Sequence, residues 1–135
     1  MDAKTHTVNY GGFENVVGSG YADRLTGDSG NNLLSGGGGD DTLRGAGGAD
    51  TLEGDDGNDY FFSGDVVSNT TLSGGQGSDT VDYTSSRLDR TDISVNLQTG
   101  QAVSSGLLSD SLSNIENIRF NSGNDTFMGT KEVGV

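Results

Sequence analysis

The chain has 135 residues, a formal net charge of −13, 24 glycines, and no Pro, Cys or Trp. That length suits one domain, and the acidity argues against a broad basic face for nucleic acid or an anionic membrane. Without Cys there is no disulfide framework, zinc–thiolate site or thiol nucleophile, and no apolar run approaches the roughly 18 residues that span a bilayer.

Residues 1–17 read as a polar lead-in. "MDAKTHTV" is too short and too polar for a signal peptide, and His6, the single histidine, has no partners for a triad or a zinc site. From Gly18 the chain falls into units of nine: GSGYADRLT, GDSGNNLLS, GGGGDDTLR, GAGGADTLE, GDDGNDYFF. Position 1 is always Gly. Position 6 is Asp23, Asn32, Asp41, Asp50, Asp59, and position 8 is Leu25, Leu34, Leu43, Leu52, Phe61. A disordered acidic linker has a similar composition but no reason to keep three columns in phase.

The phase slips at Ser63–Gly64. "DVVSNTTLS" (65–73) then fits as a degenerate sixth unit, with Thr70 in the Asp column and Leu72 in the apolar one; "GGQGSDTVD" (74–82) is a full seventh, with Asp79 and Val81. One apolar residue per nine cannot be buried by a single unit, but stacked copies can bury it. Gly-rich residues make the turn and three residues such as Thr42-Leu43-Arg44 make a short strand, its middle side chain inward. Two units complete one coil. Odd units (Leu25, Leu43, Phe61, Val81) form one parallel sheet and even units (Leu34, Leu52, Leu72) the facing one. The spacing thus predicts an all-β parallel β-roll over 18–82.

Residues 83–119 read as a capping region. "DISVNLQTGQAV" (92–103) alternates, turns at Thr99-Gly100 and resumes, which is a hairpin pattern. No stretch shows a helical apolar period. "IENIRFNSGNDTFMG" (115–129) aligns with "FENVVGSGYADRLTG" (13–27), and "TVDY" (80–83) with "TVNY" (7–10). Residues 120–135 therefore read as the start of a further repeat, and the chain as a piece of a longer tandem array in which Asp125 needs downstream units.

The aspartates pose an energetic problem. Stacked turns lie about 4.8 Å apart, and carboxylates that close repel by nearly 1 kcal/mol even in water. The thin apolar core does not offset the entropy of ordering so much glycine. A hard dication resolves both difficulties. Calcium takes six to eight oxygens in flexible geometry, and Gly-rich turns let carbonyls converge without Cβ clashes.

These units, above all "GGGGDDTLR" and "GGQGSDTVD", resemble the RTX, or haemolysin-type calcium-binding, nonapeptide G-G-x-G-x-D-x-U-x. "FENVVG" and "IENI" are similar to segments that lead into such arrays. The resemblance implies a right-handed parallel β-roll with calcium between consecutive turns of one edge, held by position-6 side chains and main-chain carbonyls. Carried over, the odd edge has Asp23, Asp41, Asp59 and Asp79, enough for three ions. The even edge has Asn32 and Asp50, with Thr70 a blank, and one weaker ion. The carbonyl donors fall at Gly36, Gly37, Gly39, Gly54, Gly57, Gly74, Gly75 and Gly77. Three to four Ca2+ are expected in all.

The resemblance further implies a module that folds on meeting extracellular calcium, within a larger bacterial protein exported by a type I system: an adhesin, toxin or polysaccharide-modifying enzyme. The module itself is expected to be non-catalytic. Paired carboxylates such as Asp40/Asp41 and Asp55/Asp56 suit glycoside hydrolysis, but they recur in phase with the turns. A polysaccharide-binding module is the alternative, with Tyr60, Phe62, Tyr83, Arg87 and Arg90 supplying stacking and charge. The expected state is a monomer, without nucleic acid and without membrane insertion.

Overall fold

The computed structural model describes residues 7–9, 15–63, 69–84, 92–104 and 108–129. Its strands are β1 (Thr7–Asn9), β2 (Asn15–Val17), β3 (Arg24–Thr26), β4 (Leu33–Gly38), β5 (Thr42–Arg44), β6 (Thr51–Asp56), β7 (Tyr60–Phe62), β8 (Thr71–Gln76), β9 (Thr80–Asp82), β10 (Ile93–Asn96), β11 (Gln101–Ser104), β12 (Leu108–Ser113), β13 (Asn117–Arg119) and β14 (Thr126–Met128). No helix occurs among the described residues.

One sheet has the order β1-β3-β5-β7-β9-β13 and is parallel throughout. The other has the order β14-β10-β11-β12-β8-β6-β4-β2. The chain alternates between them from β1 to β9, which makes the roll. In the first sheet Leu25, Leu43, Phe61, Val81 and Ile118 are in register. In the second, Val16, Leu34, Leu52, Leu72 and Leu112 are. The seven position-8 side chains from Leu25 to Val81 are all fully buried, and their strand neighbours point outward because side chains alternate faces along a strand.

The apolar column sets the register, since a one-residue slip would turn every one of these side chains to solvent. It holds across the break in phase. Leu52 pairs with Leu72, 20 residues on instead of 18, so the turn between β7 and β8 absorbs two extra residues. Most of that turn, residues 64–68, lies outside the described residues, including the first part of the degenerate unit.

Strand length differs between the sheets. Three residues per strand suffice in the first, as at Thr42–Arg44, but β4, β6 and β8 run to six. They continue into the Gly-rich turn, where Gly37 pairs with Asp55 and Asp55 with Gly75. All three of these residues have positive φ, which lets the ladder follow the corner.

After Tyr83 the chain leaves the stack. β10 and β11 form the antiparallel hairpin, closing through Leu97–Gly100 with Asn96 opposite Gln101. β12 then runs antiparallel to β11 on one side and parallel to β8 on the other. Within the stretch expected as a cap, β12 and β13 thus add one more rung to each sheet. β14 lies parallel to β10, with Phe127 beside Val95. Asp125 Oδ1 accepts the Ile93 N–H at 3.0 Å.

Candidate metal centre

Each position-6 residue immediately precedes a strand, where the turn closes. Asp23, Asp41, Asp59 and Asp79 precede β3, β5, β7 and β9 on the odd edge; Asn32, Asp50 and Thr70 precede β4, β6 and β8 on the even edge. All seven are buried.

The odd-edge carboxylates form a ladder. Asp41 Oδ1 accepts the Asp23 N–H at 2.7 Å, Asp59 Oδ1 the Asp41 N–H at 2.9 Å, and Asp79 Oδ1 the Asp59 N–H at 2.8 Å. The ladder ends on Glu116, whose Oε2 accepts the Asp79 N–H at 2.8 Å. In contrast, Oδ2 of Asp41, Asp59 and Asp79 is buried with no hydrogen-bond partner. Native proteins rarely leave a buried polar atom unpaired, and a carboxylate oxygen least of all. Asp23 differs, because its Oδ2 accepts from both the N–H and the hydroxyl of Ser19.

The position-1 glycine of the full units explains itself at this point. A Cβ on Gly36, Gly54 or Gly74 would lie less than 3.0 Å from Oδ2 of that unit's own aspartate. It would also lie less than 3.0 Å from a main-chain carbonyl of the next coil: Gly54, Gly74 and Asn114 respectively. Each unpaired carboxylate oxygen therefore shares its space with a carbonyl oxygen, and glycine keeps that space clear. Further along the turn, Gly37, Gly39, Gly57, Gly75 and Gly77 have positive φ. Gly57 and Gly77 stack closely on the carbonyls of Gly39 and Gly57.

The electrostatics show the same strain. Burial, followed by the charges of neighbouring aspartates, raises Asp41 from 3.8 to about 6 and Asp59 to about 7, against the lowering effect of the ladder hydrogen bonds. Asp79 is raised by burial and by Glu116. Asp50 is raised by burial and by Asp28.

The even edge is partly closed by neutral groups. Asp50 Oδ1 accepts from the N–H and the side-chain amide of Asn32, at 2.9 and 3.1 Å. At Thr70 the column continues to a residue that the nine-residue pattern had not marked, Asp110. Its Oδ1 accepts the Thr70 N–H at 2.9 Å, and its Oδ2 accepts from the Ser63 hydroxyl at 2.6 Å and the Tyr83 hydroxyl at 3.1 Å. Glu116 and Asp110 share a signal in the sequence. Asp110-Ser111-Leu112 and Glu116-Asn117-Ile118 are the acid-x-apolar tail of the unit without its glycine turn.

The residues considered for a glycan separate. Tyr83 is fully buried against Asp110 and offers no stacking face. Tyr60 packs edge-on against Phe62, centroids 5.0 Å apart, and its hydroxyl donates to Asp82 while accepting from Arg119. Phe62 is exposed. Arg87 and Arg90 lie outside the described residues.

No three His, Cys, Asp or Glu side chains gather at one point among the described residues. The carboxylates stand in columns, so main-chain carbonyls would have to complete any ion's shell. Unpaired carboxylate oxygens beside carbonyls, with no nitrogen or sulfur donor, fit a hard divalent cation of high coordination number. The comparison with curated proteins finds no match. The family model for the RTX calcium-binding nonapeptide repeat matches in four copies, at residues 10–43, 17–52, 35–65 and 68–83. The stacked coils, the buried acidic columns and that match agree: the chain belongs to the RTX calcium-binding nonapeptide repeat family.

Proposed function

We propose that the chain is a calcium-triggered folding module of a larger secreted or cell-surface protein, with its ions held chiefly along the odd edge. The observation that carries this reading is the set of buried, unpartnered Oδ2 atoms on Asp41, Asp59 and Asp79. Bound calcium supplies the positive charge that these atoms lack. Asp41, Asp59 and Asp79 present charge, Gly54 and Gly74 present carbonyls beside them, and the Oδ1 ladder fixes each carboxylate against the coil before. Asn32 and Asp50 form a weaker position, since Asp50 already accepts two hydrogen bonds from Asn32.

Mass action sets the scale. With dissociation constants near 10⁻⁴ M, roughly those of extracellular sites, about 1 mM calcium stabilises the fold by roughly 1.4 kcal/mol per site. Three or four such sites contribute about 4–6 kcal/mol, comparable to the whole stability of a small domain. The chain would stay unfolded in a low-calcium cytosol and fold after export. RTX repeats are typical of secreted bacterial proteins, which agrees with this route. In this reading the module has no catalytic part, because its buried carboxylates occupy the turns in phase. The polysaccharide-binding alternative keeps the exposed Phe62 but not Tyr83.

The test is a calorimetric calcium titration followed by circular dichroism. With chelator the chain should be largely disordered, and with millimolar calcium it should gain β signal and compact. Magnesium should substitute poorly, because it demands a tighter octahedral shell. Identical spectra with and without calcium would overturn the proposal.

A further inference from the structure

The odd column continues past the last nine-residue unit. Glu116 belongs to no Gly-rich turn, yet its Oε2 receives the Asp79 N–H just as Asp41, Asp59 and Asp79 receive those of the coils before them. Asn114 repeats the second half of the arrangement. Its carbonyl and Asp79 Oδ2 both lie less than 3.0 Å from where a Cβ on Gly74 would stand, the relation that the Gly54 and Gly74 carbonyls have to Asp41 and Asp59. Asn114 has a φ of 50°, a conformation that asparagine tolerates better than most residues. Asp79 is 0% exposed, and its Oδ2 has no hydrogen-bond partner.

The opposite end of the column is closed. Asp23 Oδ2, the equivalent atom in the first unit, accepts from the N–H and the hydroxyl of Ser19. Ser19 stands at position 2, where the third and seventh units have Gly37 and Gly75. The serine hydroxyl there, beside the main-chain N–H, donates to an oxygen that is unpaired in the counterpart units.

We infer that the odd-edge calcium column is displaced one coil towards the C-terminus: Asp79, Glu116 and the Asn114 carbonyl build its last site, and Ser19 takes the place of an ion at Asp23. The inference rests on the calcium reading given above. The donor set is two carboxylates from adjacent coils plus a main-chain carbonyl, all hard oxygens. Its consequence is that the rung formed by β12 and β13 is fastened to the repeats by metal as well as by strand pairing.

The test counts ions on the intact chain by native mass spectrometry in calcium, with circular dichroism as the check of folding. Glu116→Gln keeps an acceptor for the Asp79 N–H but removes the charge, and it should bind one calcium fewer than the unaltered chain. Asp23→Asn should bind the same number as the unaltered chain. If Glu116→Gln does not fold, Glu116→Asp is read instead. It keeps the charge on a side chain one carbon shorter and should weaken one ion severalfold without altering the rest. Full occupancy in Glu116→Gln, unchanged affinities in Glu116→Asp, or loss of an ion in Asp23→Asn would overturn the displaced column. Absence of calcium from the unaltered chain would instead overturn the calcium reading itself, and this inference with it.

Discussion

Asp40 and Asp41 are adjacent in the chain and reach in opposite directions along the roll. Asp40 Oδ1 accepts the Asn58 N–H of the coil ahead at 2.9 Å, and Asp41 Oδ1 accepts the Asp23 N–H of the coil behind at 2.7 Å. Position 5 makes its own ladder, in which Asn58 Oδ1 accepts the Ser78 N–H at 2.9 Å and Asn31 Oδ1 the Ala49 N–H at 2.8 Å. Asparagine serves there, so position 5 needs an acceptor and no charge. Asp41 is buried with an oxygen to spare, while Asp40 is exposed.

This contrast separates ligation from acidity. Asp40→Asn and Asp41→Asn remove the same charge and leave an acceptor in place. Asp41→Asn should raise the calcium midpoint of folding by about tenfold or more, equivalent to about 1.4 kcal/mol. Asp40→Asn should shift it less than about twofold. Both are measured at one ionic strength, because screening alters exposed charges more than buried ones. Equal shifts would mean that net charge, and not the position in the turn, governs the response.

The raised carboxylates give the calcium-stripped fold a pH dependence of definite sign. Asp41 at about 6 and Asp59 at about 7, against 3.8 ordinarily, hold more protons folded than unfolded. Their contribution to stability is fully present below about pH 4 and is lost as pH rises through 6 to 7. Asp82 works the other way: burial alone would raise it, but hydrogen bonds from Thr84 and Tyr60 bring it below its usual value. Its contribution is lost only in acid below that window. In chelator, lowering the pH from about 8 to about 5 should therefore increase the β signal of the largely disordered chain, protons standing in for metal. The calcium midpoint should rise over the same interval. A fold that loosens steadily from pH 8 to 5 in chelator would contradict the burial of these carboxylates.

The turn glycines are not equivalent. Gly57 has a φ of 135° and stacks on the Gly39 carbonyl, so Gly57→Ala has neither the conformation nor the space and should cost more than about 2 kcal/mol. Ala46 occupies position 2 with a φ of 80°. Ala46→Gly relieves that strain at the cost of a more flexible unfolded chain, and should be neutral or stabilising by up to about 1 kcal/mol. Thermal midpoints at saturating calcium decide both.

Much of this architecture was legible in the residues because a parallel stack repeats one solution. Leu25, Leu43, Phe61 and Val81 fall in one sheet, and Leu34, Leu52 and Leu72 in the other, as a nine-residue period with one inward side chain requires. The period says nothing about rungs that lack its turn. Leu112 and Ile118 complete both columns from segments without glycines, since only the acid-x-apolar tail needs to meet the stack. The longer internal similarity misleads about place. Leu25 and Phe127 are equivalent in sequence, yet Leu25 lies in the first sheet and Phe127 in the second. The excursion through β10 and β11 shifts the second copy by half a coil and gives it the hairpin as its neighbour. The hydroxyls that close the even edge, from Ser63 and Tyr83, come from outside the repeating positions, so no spacing pointed to them.

Asp110 provides the clearest separation of metal-borne from metal-independent stability. It is buried, and its oxygens accept from the Thr70 N–H and the hydroxyls of Ser63 and Tyr83. Burial and the charge of Asp110 together hold the Tyr83 hydroxyl protonated well above its ordinary range. Asp110→Ala strands three buried donors and should destabilise the fold by roughly 3 kcal/mol or more. The informative measurement is unfolding free energy against the logarithm of calcium concentration, well above the dissociation constants. There each bound ion adds about 1.4 kcal/mol per tenfold rise, so the slope counts ions and the intercept reports everything else. Asp110→Ala should lie parallel to the unaltered chain and below it, because it removes hydrogen bonds and no ion. Asp41→Asn should have a shallower slope, because the ion it holds is gone at any concentration that binds the rest. A reduced slope in Asp110→Ala would place Asp110 among the ligands and return the even edge to a metal-bound column.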